Sequence, residues 1–392
     1  MVLHGRKTDQ RHADWFANID ASALSSNDAR SLDLVKRSYR QATQLPVGLS
    51  AELAKATSAC QHIWAEARAK DDVGMLIPSL TEVVRLKREE AACLRPEAGT
   101  LYDGLLDRWE AGMTSAVLLP MLDGLRTALK EILAATPAKP KPAPYAFDDA
   151  DPLSAILSTQ HEAWHGMYEQ NLSRAHRHTP LSSYASMGLH ESQSRLIENQ
   201  IGRSMAYCRY LSAEIAAVFP ESPLQDAQHL YAHANHVAPG FIRVDADELH
   251  YNLHIIHRTE LERALIEGSL EVADLEAAWN ELFEDLFGQR PPRPSLGLLQ
   301  DVHWPAGLFG YFPTYTLGNI YAAALFAAME NAIGTVSDLI AEGELTEVAG
   351  WLRDNVHSVG SQKDTLDILV DATGATPKPE KLLTYLKAKF LS

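Results

Sequence analysis

Apolar residues recur at three- and four-residue intervals through most of this chain, the period of amphipathic helices and not of strands. The pattern predicts helices over Asn27 to Thr43, Ser50 to Lys70, Met75 to Cys93, Leu101 to Trp109 and Thr114 to Ala135. Ser50 and Thr114 stand where N-caps are wanted. Leu153, Ile156 and Leu157, followed by Met167 and Tyr168, mark a further helix. Another carries Glu191 and runs to about Val218. Asp247 to Glu267, Leu270 to Phe287, Tyr315 to Ile333 and the region from Thr335 to Asn355 complete the series. Any short β segment should fall near Phe241 to Val244, and no internal repeat is visible. The expected fold is mainly α, built from long helices, with little or no β structure.

The helical pattern breaks at Ala134-Ala-Thr-Pro-Ala-Lys-Pro-Lys-Pro-Ala-Pro144, which reads as an extended connector. The chain is therefore divided into an N-terminal helical lobe (1–136), a connector (137–150) and a second helical lobe (151–392), forming one continuous body. A formal charge of −16 argues against nucleic acid as a partner, because phosphate binding needs a basic face. No apolar run is long enough to cross a bilayer, and Met1-Val-Leu-His-Gly-Arg-Lys7 lacks the hydrophobic core of a signal peptide. Cys60, Cys93 and Cys208 are scattered and odd in number, which fits a reducing compartment, the cytoplasm.

Chemistry concentrates at His161-Glu162-Ala163-Trp164-His165. Residues at i and i+4 share a helix face, so both imidazoles can reach one ion while Glu162 stands close to any water held there. Zinc hydrolases use this spacing, although an exposed helix can also carry two histidines and a glutamate with no metal. A third protein ligand is required, and Glu191 on the next long helix can supply it. His190, beside it, points elsewhere on the helix and fits outer support better than ligation. With two histidines, one carboxylate and a water, Glu162 would serve as the base that activates the water and then protonates the leaving amine.

These segments resemble a known family. His161-Glu-Ala-Trp-His-Gly-Met-Tyr-Glu-Gln170 and Met187-Gly-Leu-His-Glu-Ser-Gln-Ser-Arg-Leu-Ile-Glu-Asn-Gln-Ile-Gly-Arg203 are similar to the two metal-binding segments of the carboxypeptidase Taq family of metallopeptidases. Phe241-Ile-Arg-Val-Asp-Ala-Asp247 resembles its I-R-x-x-A-D motif, Gly297-Leu-Leu-Gln-Asp-Val-His-Trp304 its G-x-x-Q-D-x-H-W motif, and Gly310-Tyr-Phe-Pro-Thr-Tyr315 follows in the family's order. Val83 to Ala92 and Tyr102 to Asp107 match upstream. The resemblance implies a helical body with a deep groove, metal-dependent removal of single residues from peptides with a free C-terminus, and a homodimer. It assigns His161, His165 and Glu191 as ligands of zinc, or of another divalent ion such as cobalt, and Glu162 as the catalytic carboxylate. Arg243 would hold the substrate's terminal carboxylate, with His303, Tyr311 and Tyr315 lining the groove.

Three departures stand out. The family's D-x-R-x-T segment, expected shortly before the metal helix, is absent where the Pro-rich stretch lies. The helices that usually precede Ala21 to Leu24 are missing or replaced by residues 1–20. Trp164 takes a place that is usually glycine, so the wall beside it must be rebuilt or opened. Losing an edge strand and one arginine would weaken peptide positioning more than metal binding. A second reading therefore stands beside the peptidase: a metal-binding or peptide-binding relative with impaired turnover. The rows His229, His233, His236 and His250, His254, His257 could suggest a second metal, but neither has a glutamate placed like Glu162, and surface or core histidines are the expectation.

Overall fold

The computed structural model describes residues 2–137 and 152–391, so most of the Pro-rich connector lies outside the described residues. Among these residues there are helices and turns and no strand. Phe241 to Val244 runs into a short 3-10 turn, Arg243–Asp245.

The predicted helices form close to their expected bounds: Ser26–Gln44, Val47–Lys70, Val73–Leu94, Leu101–Leu106, Ser115–Ala135, Pro152–Asn171, Glu248–Glu267 and Pro313–Ile333. Their ends follow local chemistry. Thr100 and Asp103 make a reciprocal capping box at the start of Leu101–Leu106, and Asp247 accepts from the amides of Leu249 and His250 at the start of Glu248–Glu267. That last helix stops at Gly268, whose φ of 82° only glycine adopts without strain.

Three expectations are corrected. The Glu191 helix is not continuous to Val218: Met187–Arg195 passes into a π turn, Leu196–Gly202, and a new helix starts at Met205 with Ser204 as its cap. The stretch from Leu270 is a 3-10 turn, Val272–Asp274, before helix Leu275–Phe287. The region after Thr335 is three short pieces, Val336–Ala341, Thr346–Leu352 and a π turn Arg353–His357, interrupted where Gly343 takes a positive φ. The periodicity did not reveal helices Arg11–Asn18, Ala227–Ala234, Thr365–Thr373 and Pro379–Phe390.

One apolar core takes residues from both sides of the connector, from Cys60, Leu80 and Leu105 through Trp164, Leu189 and Leu253 to Phe390. Helices Arg11–Asn18 and Ser26–Gln44 bury no residue completely. Ser26–Gln44 is tied on by Arg30 to Asp364 at 2.7 Å and by Arg37 to Asp107 at 2.8 Å. No helix among the described residues is long and apolar enough to cross a membrane.

Candidate active site

Two helices and one glycine build the centre. His161 and His165 project from the same face of Pro152–Asn171, and Glu191 reaches them from Met187–Arg195. The His161 and His165 Nε2 atoms lie 3.2 Å apart, and Glu191 Oε2 is 3.8 Å from the first and 3.4 Å from the second. Candidate ligand atoms of all three lie within 4.8 Å of one another, the only such group of three or more found among the described residues. Glu191 can enter because Gly318 faces it: a Cβ at 318 would stand 2.6 Å from Glu191 Cγ. Glu162 is exposed beside His161.

A neighbouring shell fixes which nitrogen of each ring faces the centre. Glu198 Oε2 lies 3.0 Å from His161 Nδ1, and the same carboxylate accepts from Arg195 Nη1 at 3.0 Å and Arg203 Nη2 at 3.0 Å. His165 Nδ1 lies 2.6 Å from His190 Nδ1, whose Nε2 lies 3.2 Å from Glu169. A proton on each ligand's Nδ1, with His190 donating from Nε2 to Glu169, satisfies all these contacts and leaves both Nε2 lone pairs on the centre. Tyr184 packs edge-on against His190 with centroids 4.8 Å apart.

The charges agree with that arrangement. Burial alone would push the Glu191 carboxyl up, but Arg195, His165 and His161 overcome it and hold it at about 2. Glu198 is likewise held well below the usual range, burial being outweighed by Arg195, His161 and Arg203. The anionic Glu191 and two oriented imidazoles are a donor set that suits a divalent cation, with the charge of Glu198 behind His161.

Arg243, His303, Tyr311 and Tyr315 form a second group. Arg243 is buried and donates to Asp301 Oδ1 from Nε at 3.2 Å and Nη2 at 3.0 Å, and to the Tyr251 hydroxyl from Nη1 at 3.3 Å. Fully buried Arg258 donates to the other Asp301 oxygen at 2.6 Å. Gln300 accepts from the Arg243 amide at 2.9 Å and donates to the Phe241 carbonyl at 3.0 Å, so the two sequence motifs brace each other. His303 Nε2 lies 3.0 Å from the Tyr315 hydroxyl, and Tyr311 stands edge-on to Tyr315 and to Trp109. Burial lowers His303 to about 4, so it is neutral at neutral pH. Burial, then the charge of Glu191, pushes Tyr311 up to about 12. Tyr251 joins the two groups: the Arg195 guanidinium lies 3.9 Å over its ring while its hydroxyl meets Arg243.

Several of these partners escaped the sequence reading: Glu198, Arg195, Glu169, Tyr251, Asp301 and Arg258. The signal for two of them was present, since Glu191, Arg195 and Glu198 alternate in charge at i, i+4 and i+7. Trp164 is buried in the main core, so the indole is absorbed by packing. His250, His254 and His257 are core histidines, bonded to Asp247, the Gly240 carbonyl and the Trp279 carbonyl.

A helical body that brings two histidines from one helix and a carboxylate from the next onto one point defines a centre of the metallopeptidase kind. Comparison with known proteins narrows that class. The profile of the carboxypeptidase Taq (M32) metallopeptidases matches residues 1–148 and 145–390. Thermostable carboxypeptidase 1 of Thermus thermophilus is 34% identical over 453 residues, covering 99% of this chain and 89% of that protein. Carboxypeptidase 1 of Bacillus subtilis is 32% identical, covering 94% and 84%. The crystal structure of the M32 carboxypeptidase from Deinococcus radiodurans R1 superposes with a TM-score of 0.93 at 30% identity, covering 99% of this chain and 89% of that one. The chain belongs to the carboxypeptidase Taq (M32) family, and the metallocarboxypeptidase expected from its motifs stands. The aligned span of 453 residues exceeds the 392 of this chain, so the Thermus protein carries internal residues that are lacking here. The family match divides at 145–148, beside the Pro-rich stretch.

Proposed function

We propose that His161, His165 and Glu191 hold a divalent cation, zinc in the first instance, and that the chain removes the C-terminal residue from peptides with a free carboxylate. The observation that carries this reading is the convergence of three ligand atoms within 4.8 Å while the far nitrogen of each imidazole is engaged elsewhere. A bound divalent ion supplies Lewis acidity towards a water and the scissile carbonyl. Glu162, exposed beside the ligands, takes the proton of the attacking water and hands it to the leaving amine. Arg243 and Arg258 share the single carboxylate of Asp301, which leaves one positive charge over for the substrate terminus. Neutral His303 and the Tyr311 and Tyr315 hydroxyls stand along the same wall and donate to the substrate backbone or the developing oxyanion.

The test is metal analysis combined with trimming of an N-blocked dipeptide. Glu162→Gln should retain stoichiometric metal and lose on the order of 10²–10⁴-fold in kcat. Metal bound without Glu162-dependent cleavage would instead favour the binding relative, and equal trimming of free and amidated peptides would remove Arg243 from its role. The reading extends to a cytoplasmic homodimer, supported by three unpaired thiols and the family resemblance and checked by sedimentation equilibrium.

A further inference from the structure

A second polar cluster lies away from the histidine centre. Lys87 and Glu90 stand one turn apart on the buried side of Val73–Leu94, and Arg108 reaches the same Glu90 carboxylate. One buried acid therefore serves two cations. Glu262 is another carboxyl whose field reaches Lys87. Burial, opposed by hydrogen bonds from Tyr102, Trp304 and the Gly310 amide, pushes Glu262 up to about 8, so it brings no compensating charge at neutral pH. Burial pushes the Lys87 ammonium down, and Arg108, whose side chain is 38% exposed, competes with it for Glu90, so a further anion at this spot would hold both cations in their charged form.

The surroundings give such an ion room. Lys87, Glu90 and Arg108 line a cavity of about 440 Å³ together with His4 and Lys7 of helix Val2–Lys7 and the hydroxyl-bearing Ser38. His4 Nε2 is buried and has no hydrogen-bond partner. Four basic side chains thus surround one acid, in a chain whose formal charge is −16. None of the cavity's residues belongs to the His161, His165 and Glu191 cluster.

We propose that this cavity binds a small free oxyanion, a phosphate or carboxylate group, through Lys87, Arg108 and the Nε2–H of His4. The guanidinium and ammonium supply charge-assisted donors, and the imidazole gains the partner it lacks. The remaining volume admits whatever group the oxyanion is attached to.

Calorimetric titration of the metal-loaded protein with inorganic phosphate, and separately with succinate, tests the proposal. Saturable one-to-one binding is expected for at least one of them, and the tighter of the two identifies the oxyanion. Arg108→Gln should weaken it by about tenfold or more, the usual loss for a hydrogen bond to a charged group. Arg108→Lys should keep most of it, and Lys87→Met, which leaves Glu90 matched by Arg108 alone, should abolish it. Absence of saturable heat with both ions overturns the proposal. So does binding unchanged by Arg108→Gln, which would place the ion at the histidine centre.

Discussion

Glu191 is held from three directions: Arg195 donates to Oε1 at 2.7 Å, the imidazoles face Oε2, and the backbone of residue 318 closes the space behind its side chain. The last contact is the least forgiving. Alanine is a better helix former than glycine, so Gly318→Ala should not unfold Pro313–Ile333 on propensity grounds. Its methyl, however, would sit 2.6 Å from Glu191 Cγ, and a carboxylate with so many partners cannot move without leaving some of them. Gly318→Ala is expected to lower metal affinity by about tenfold or more while the far-ultraviolet dichroism stays unchanged, with affinity read by competition with a chromophoric chelator. An unchanged affinity would mean that the two helices slide apart without cost to the centre.

Among the elements, the ligand helix is set apart by the way it ends. The π turn Leu196–Gly202 comes directly after Arg195 and carries Glu198, so a local widening of the helix sits beside the centre, as such turns often do at functional sites. Glu198 binds His161 and two arginines, and removing its charge takes an anion from Arg203 and leaves Arg195 to Glu191 alone. Glu198→Gln is expected to weaken metal binding by about 10–100-fold. His190→Ala should have a similar but smaller effect, because His190 leads only to Glu169, which is about half exposed. Chelator competition separates the two; equal affinities in both variants and the wild type would remove the orienting role. The same elements show what sequence could and could not reveal. The i, i+4 histidines and Glu191 were legible because ligand spacing is local to one helix and its neighbour. The break at Arg203 was not, since Leu196, Ile197 and Ile201 carry the apolar spacing up to it. The Glu169 and His190 contact was hidden too, because it depends on how two helices lie side by side. Arg243 was found by its motif, but its bond to Asp301 and the sharing of that carboxylate with Arg258 came only from the fold.

Over the whole molecule, two buried carboxyls join the parts of the chain that flank the connector. Glu110 accepts from the Ser186 hydroxyl and the Gly188 amide at the start of the ligand helix and from the Tyr321 hydroxyl of Pro313–Ile333. Glu262 accepts from the Tyr102 hydroxyl, the Trp304 indole and the Gly310 amide. Burial, only partly offset by these donors, pushes Glu110 up to about 7 and Glu262 up to about 8, from an ordinary 4.5. Between the unfolded and folded values each of these carboxyls keeps a proton in the native state that the unfolded chain has lost, so its contribution to stability falls as pH rises through that window. The contribution is complete below about pH 4.5 and is lost above 7 for Glu110 and above 8 for Glu262. The shifts correspond to about 3 kcal/mol for Glu110 and about 5 kcal/mol for Glu262. Glu191 behaves in the opposite sense: held at about 2, it adds stability that is present above 4.5 and lost only in strong acid, outside this range. The buried histidines His257, His303 and His357, held down to about 3, 4 and 4, act in the opposite sense and raise stability as pH climbs to about 6.5, so denaturant unfolding at matched metal saturation should show the carboxyl decline above pH 7. Glu110→Gln and Glu262→Gln should each flatten the decline, since a glutamine keeps an acceptor for the Gly188 or Gly310 amide and cannot ionise. If the double variant keeps the wild-type slope, these carboxyls are already ionised in the native protein and the charge must be met by water or by the Lys87 side chain. Because both acids tie the ligand helix and the aromatic wall to the N-terminal helices, the same loss should appear as earlier release of metal on raising the pH, at a point where the ligands themselves gain no protons.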